Sequence, residues 1–169
     1  MKWIGYLLSS LWRIWFLLMF ILVFILFLPV LFFFTAIIKD EVAVAHLTRY
    51  WSKLTINLSF IFPKVEWEEK LDKKGQYIFC PNHVSTLDIP LILAVLPMPL
   101  QYMGKAEIAK IPLFGYFYKN NTVVVYRANR RNAYDAFLKA GEKLKKGINM
   151  CIFPEGGIPK ADVFLKKFK

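Results

Sequence analysis

The segment Asn82-His83-Val84-Ser85-Thr86-Leu87-Asp88 sets a histidine and an aspartate five positions apart, between an apolar run and a stretch of helix-forming residues. An imidazole with an ordinary pKa of about 6.5 is largely neutral near pH 7 and ready to accept a proton. A carboxylate within reach of its other ring nitrogen fixes the tautomer and stabilises the imidazolium that forms. The pair therefore suits general-base activation of a hydroxyl. The same residues carry a second reading, because Ser85-x-x-Asp88 fits a capping box, and Asp88 followed by Pro90 fits a helix start. On the residues alone both readings stand.

Other chemistries find less support. No serine or cysteine stands beside a base in the pattern of an activated nucleophile. Cys80 and Cys151 lack disulfide or zinc-ligand spacing and are expected to be buried strand residues. His46, the second histidine, is expected at the surface, and two distant histidines without clustered carboxylates do not assemble a metal site. A Gly-rich phosphate loop is absent.

The elements that must position His83 and Asp88 follow from short apolar runs at 77–80, 122–126 and 148–153, which read as strands, and from helix-like segments at 89–96 and 132–146. Alternating strands and helices predict an α/β core, a mostly parallel sheet flanked by helices, with its site on the loops at the carboxyl ends of the strands. Ahead of that core lies an uncharged run, 16–38, which as a helix would cover about 35 Å against a hydrocarbon core of about 30 Å. It reads as a membrane anchor, with Pro29 allowing a kinked span or a hairpin into one leaflet. A cleaved signal is disfavoured by the length of the run and the lack of a small-residue cleavage site. Residues 41–62 place Leu47, Trp51, Leu54, Leu58 and Ile61 at helical spacing, for a helix either in the headgroup region or packed on the core. The expected organisation is an anchor and amphipathic helix over 1–62 and a catalytic domain over 63–169.

The composition agrees with a membrane-bound protein. The chain of 169 residues is 57% hydrophobic and 17% aromatic, with a formal net charge of +11. Basic residues after a very apolar N-terminus favour an anionic membrane surface over nucleic acid, and the positive-inside rule places the body in the cytoplasm.

Four ordered segments, NHVSTLD, KAEIAKIPLFGYF, TVVVYR and FPEGG, resemble the motifs of the glycerophospholipid acyltransferase family, most closely its bacterial 1-acylglycerol-3-phosphate acyltransferases. The resemblance implies that His83 is the general base and Asp88 its partner. It implies that Arg127 holds the acceptor phosphate, with Lys105 a weaker candidate, and that Glu155 and Gly156 help form the acceptor site. It further implies no metal or organic cofactor, an acyl carrier protein or coenzyme A thioester as donor, and lysophosphatidic acid as the membrane-lipid acceptor. Gly115 is expected to let the backbone turn or pack closely. Amides at the start of the helix after NHVSTLD are expected to hold the oxyanion. The pattern departs from the family after Glu155-Gly156, where an arginine is usual and this chain has Ile158, with Lys160 the next basic residue. Typical members also continue beyond this motif, so the C-terminal part of the usual domain is expected to be missing. The competing expectations are another acceptor, such as glycerol 3-phosphate or a different lysolipid, and a noncatalytic membrane-binding module.

Overall fold

A computed structural model describes residues 2–126 and 130–159, leaving Arg127 and Lys160 outside the described residues. The first helix, α1 (Lys2–Phe32), starts well before the uncharged run, because 3–12 is itself largely apolar, uncharged and free of proline, so that Gly5 alone does not stop it. It continues through Pro29 and widens into a π-helix at Phe33–Ile38. Proline forfeits one backbone bond, and a widened turn is one way a helix absorbs such a defect. Trp3–Ile38 is long and apolar enough to cross a membrane.

One stripe of α1 is nevertheless part of the body. Val23, Phe24 and Leu31 form a cluster with Val44, Trp51 and Phe117, and Phe20 meets Trp51 edge-on at a centroid distance of 4.7 Å. Large aromatic areas and edge-to-face geometry make this contact strong. α2 (Glu41–Leu58) runs back along α1, started by Asp40, whose carboxylate accepts from the amides of Val42 and Ala43. Its last carbonyls, on Leu58 and Ser59, accept from the indoles of Trp15 and Trp12.

α2 packs on the core. Its fully buried face carries Ser52, Thr55 and Ser59, small polar residues that an apolar-spacing argument passes over. Two of them cost little to bury, since Thr55 Oγ1 donates to the Trp51 carbonyl at 2.9 Å and Ser59 Oγ to the Thr55 carbonyl at 2.7 Å. Arg49 Nε reaches the Leu96 carbonyl at the end of α3 (Asp88–Val95). Glu41 at the start of α2 pairs with Lys143 and Lys146 at the end of α5 (Arg130–Lys145). Burial alone would raise the Glu41 carboxyl, but the hydrogen bonds and charges of the two lysines outweigh it and hold it below its ordinary value.

Four parallel strands make the sheet: β1 (Ile78–Phe79), β2 (Leu100–Lys105), β3 (Thr122–Val125) and β4 (Asn149–Cys151), in the order β1-β4-β2-β3. The buried Asn149 stitches three strand starts together, its Oδ1 accepting from the Tyr77 amide at 2.7 Å and its Nδ2 donating to the Pro99 carbonyl at 3.1 Å. The parallel sheet and flanking helices agree with expectation, with shorter strands. Two elements were not expected, the central strand β2 and the helix α4 (Phe114–Asn121). β2 reads LQYMGK, with a glutamine and a glycine and little β-branched character, so it carries no clear strand signal. Cys151 is buried as expected, whereas Cys80 follows β1 at its exposed end.

Gly115 opens α4 against the turn Ala106–Lys110, where an added Cβ would lie inside van der Waals contact of the Ala109 carbonyl oxygen. Because that obstacle is backbone, Gly115→Ala is expected to cost about 1 to 3 kcal/mol of stability. Thermal unfolding in detergent checks this; an unchanged midpoint would show that the turn yields freely.

Candidate active site

Since all four strands are parallel, their carboxyl ends share one edge, and three of them deliver a described candidate residue to it. His83 follows β1, Lys105 ends β2, and Glu155 follows β4. Val125, the last residue of β3, is in register with Lys105 and stands two positions before Arg127 in the sequence.

His83 and Asp88 are in contact, with Nδ1 of the imidazole 3.1 Å from Oδ2 of the carboxylate. A carboxylate oxygen only accepts, so Nδ1 carries the proton and the lone pair is left on Nε2. The same Oδ2 accepts from the amides of Val84 and Ser85, each at 2.9 Å, and Ser85 Oγ accepts from the Leu87 amide at 3.1 Å. The capping contacts of Asp88 thus fold the loop that holds His83 against it. The Asp88 amide donates to the Ser85 carbonyl. Four amides here, those of Val84, Ser85, Leu87 and Asp88, are therefore occupied by internal acceptors and are not available to an oxyanion.

The His83 ring lies on Phe153, centroids 3.9 Å apart and planes 18° from parallel, and Phe153 stacks in turn on Tyr102. Tyr102 is fixed by donating its hydroxyl to the Ile89 carbonyl at 2.8 Å. Burial, then the neighbouring Cys151, pushes the Tyr102 phenol far above its ordinary value. Burial likewise pushes the Cys151 thiol up to about 12, reinforced by Cys80 and opposed by the Tyr102 hydroxyl. A buried thiol that stays protonated is a poor nucleophile.

Glu155 is 1% exposed and lies beneath the loop, its Oε1 accepting from the His83 amide at 3.3 Å. Its other oxygen has no hydrogen-bond partner among the described residues. This positioning contact was not foreseen, because nothing in the sequence says that the loops after β1 and β4 are neighbours. The only available signal was that both residues follow an apolar run. Gly156 closes the turn by donating to the Phe153 carbonyl, and its φ of 70° is the left-handed conformation that suits glycine. The structure thus brings His83, Asp88 and Glu155 together and puts Lys105 on the same edge of the sheet.

A discriminating pair of variants follows. Glu155→Gln keeps an acceptor for the His83 amide, whereas Glu155→Ala leaves it unpaired and should cost about 1 to 3 kcal/mol of stability. If positioning dominates, kcat survives in the Gln variant within about tenfold and falls much further in the Ala variant. Equal losses in the two would instead assign the work to the carboxylate charge.

A 1-acyl-sn-glycerol-3-phosphate acyltransferase of Saccharomyces cerevisiae is 36% identical over 95 residues, covering 55% of this chain and 31% of that protein. A lyso-ornithine lipid O-acyltransferase of Pseudomonas aeruginosa is 32% identical over 111 residues, covering 65% and 41%. The chain therefore aligns with less than half the length of these curated relatives. The crystal structure of the 1-acyl-sn-glycerophosphate (LPA) acyltransferase PlsC from Thermotoga maritima superposes over 100% of this chain and 68% of its own, with a TM-score of 0.69 and 28% identity. The acyltransferase family model matches residues 62–169, more than half of the chain, and the chain accordingly belongs to the acyltransferase family.

Proposed function

We propose that this chain transfers a fatty acyl group from an acyl thioester to the sn-2 hydroxyl of 1-acylglycerol 3-phosphate, forming phosphatidic acid. The observation that carries the reading is the His83–Asp88 pair at the carboxyl edge of a parallel sheet, in a chain whose relatives include lysophosphatidate acyltransferases. In this mechanism Nε2 of His83 takes the proton of the acceptor hydroxyl as its oxygen attacks the thioester carbonyl. The tetrahedral intermediate then collapses, the C–S bond breaks, and the imidazolium returns the proton to the leaving thiolate. Asp88 stabilises the imidazolium throughout. No metal or organic cofactor enters, and the donor is an acyl carrier protein or coenzyme A thioester. The body faces the cytoplasm, with α1 in the inner membrane.

Arg127 and Lys105 supply positive charge for the acceptor phosphate, and Gly156 lets the backbone approach the acceptor. Arg127→Ala should raise the acceptor KM about 10- to 100-fold, the equivalent of one charge-assisted contact, with little change in the donor KM. A changed donor KM with unaltered acceptor KM would count against the phosphate role.

The similarity to a lyso-ornithine lipid acyltransferase supports one second reading, acylation of a different lysolipid by the same His83 chemistry. Mass spectrometry of products from a mixture of lysophosphatidic acid, lyso-ornithine lipid and glycerol 3-phosphate, with both donor types, separates the readings. Phosphatidic acid should dominate. Preferential acylation of either other acceptor would replace the assignment.

A further inference from the structure

Two loops beside α1 expose large apolar side chains on backbone conformations that such residues rarely adopt. α2 ends in a Schellman motif, the Ile61 amide donating to the Ile56 carbonyl and the Phe60 amide to that of Asn57. The left-handed position in this motif favours glycine, as where Gly147 (φ 81°) closes α5, yet here it holds Phe60, with φ 59° and 71% exposed. Leu113 is the second case, with φ 63° and ψ −59°, in a strained γ-turn closed by the Phe114 amide on the Pro112 carbonyl. It is 58% exposed. Only three non-glycine residues among those described have positive φ, and two of them are these.

Both loops adjoin the apolar face of α1. Phe60 stacks on Trp15, and Phe114, next to Leu113, packs on Phe20 and Phe24. Phe62, 75% exposed, and Trp67 continue the first loop, and Ile111 the second. Their level in the fold is set by α2. Its start is tied to the end of α5 and its middle to the end of α3, which lead into the amino ends of β4 and β2. The second loop follows the carboxyl end of β2, and its Phe114 packs on Phe20 and Phe24, within about three turns of α1 from the Trp12 and Trp15 that hold the end of α2. The end of α2 therefore lies toward the carboxyl ends of the strands, the edge that carries His83.

We infer that Phe60, Phe62, Trp67, Ile111 and Leu113 form an apolar rim that sits in the headgroup and upper acyl region of the bilayer, holding the His83 edge of the sheet against the lipid surface. Continuity with α1 selects lipid as the occupant, and tryptophan and phenylalanine beside Lys64 are the residue types of a membrane–water boundary. Backbone strain at solvent-facing Phe60 and Leu113 is unrewarded in water and is offset where their side chains leave it.

The inference rests on α1 being in lipid, so its test reports that separately. In the full chain carrying Cys80→Ser, nitroxide labels are placed through Leu7→Cys, Phe62→Cys, Leu113→Cys and Lys73→Cys in turn, leaving Cys151 buried. In phosphatidylethanolamine and phosphatidylglycerol vesicles, collision with oxygen is compared with collision with an aqueous nickel chelate. The expected oxygen-to-nickel ratio at positions 7, 62 and 113 is several-fold above that at 73. Positions 62 and 113 matching 73 while 7 stays lipid-like would overturn the rim and leave the α1 reading intact. A water-like position 7 would overturn both. Labels at 62 and 113 shielded from both reagents would place a second copy of the chain there, which also overturns it.

Discussion

Alanine in place of His83 is expected to lower kcat by roughly 100- to 10,000-fold, the usual cost of losing a general base. The acceptor hydroxyl must lose its proton as it attacks, and no other described group at the site offers a positioned base. Asp88 Oδ2 is committed to three donors, Glu155 is only 1% exposed beneath the loop, and the Cys151 thiol is buried and protonated. Proton removal is needed in the transition state more than in binding, so KM should change far less than kcat. Steady-state kinetics with a thioester donor check this, and a variant retaining more than a tenth of normal turnover would remove His83 from the chemistry.

Asp88→Asn is expected to slow turnover on the order of 100- to 1,000-fold while leaving the fold in place. Because Oδ2 also receives the amides of Val84 and Ser85, the asparagine must keep its oxygen at that position, so Nδ1 still finds an acceptor and the tautomer survives. What disappears is the negative charge beside the imidazolium. The loss should therefore stay below the roughly 10,000-fold that accompanies a reversed tautomer. Stability should fall by about 1 kcal/mol or less, since asparagine still caps. Unfolding and kinetics measured on the same preparation separate the roles; a large fall in stability with normal turnover would return Asp88 to capping alone.

Much of this arrangement was legible in the sequence. Apolar runs bounded by Gly, Pro and polar residues marked β1, β3 and β4, and the spacing of His83 and Asp88 across a strand-to-helix turn allowed the contact that the structure shows. What stayed hidden depended on contacts distant in sequence. β2 is a central strand whose pairing on both sides stabilises it without strand-like composition, and the end of β2 is what puts Lys105 on the site edge. The Glu155 contact to His83 exists only because β1 and β4 are neighbours, an order that no local pattern encodes. The choice between headgroup and core for α2 likewise turned on Ser52, Thr55 and Ser59, whose value lies in small size and, for Thr55 and Ser59, in hydroxyls satisfied within their own helix.

The central claim is that His83 and Asp88 act as one unit, and a double-mutant cycle on kcat tests it most directly. With His83→Ala, Asp88→Asn and the double variant assayed together, the account predicts a double variant scarcely slower than His83→Ala, because a carboxylate has nothing to stabilise once the imidazole is gone. Losses that multiply would contradict it and show the two residues contributing independently.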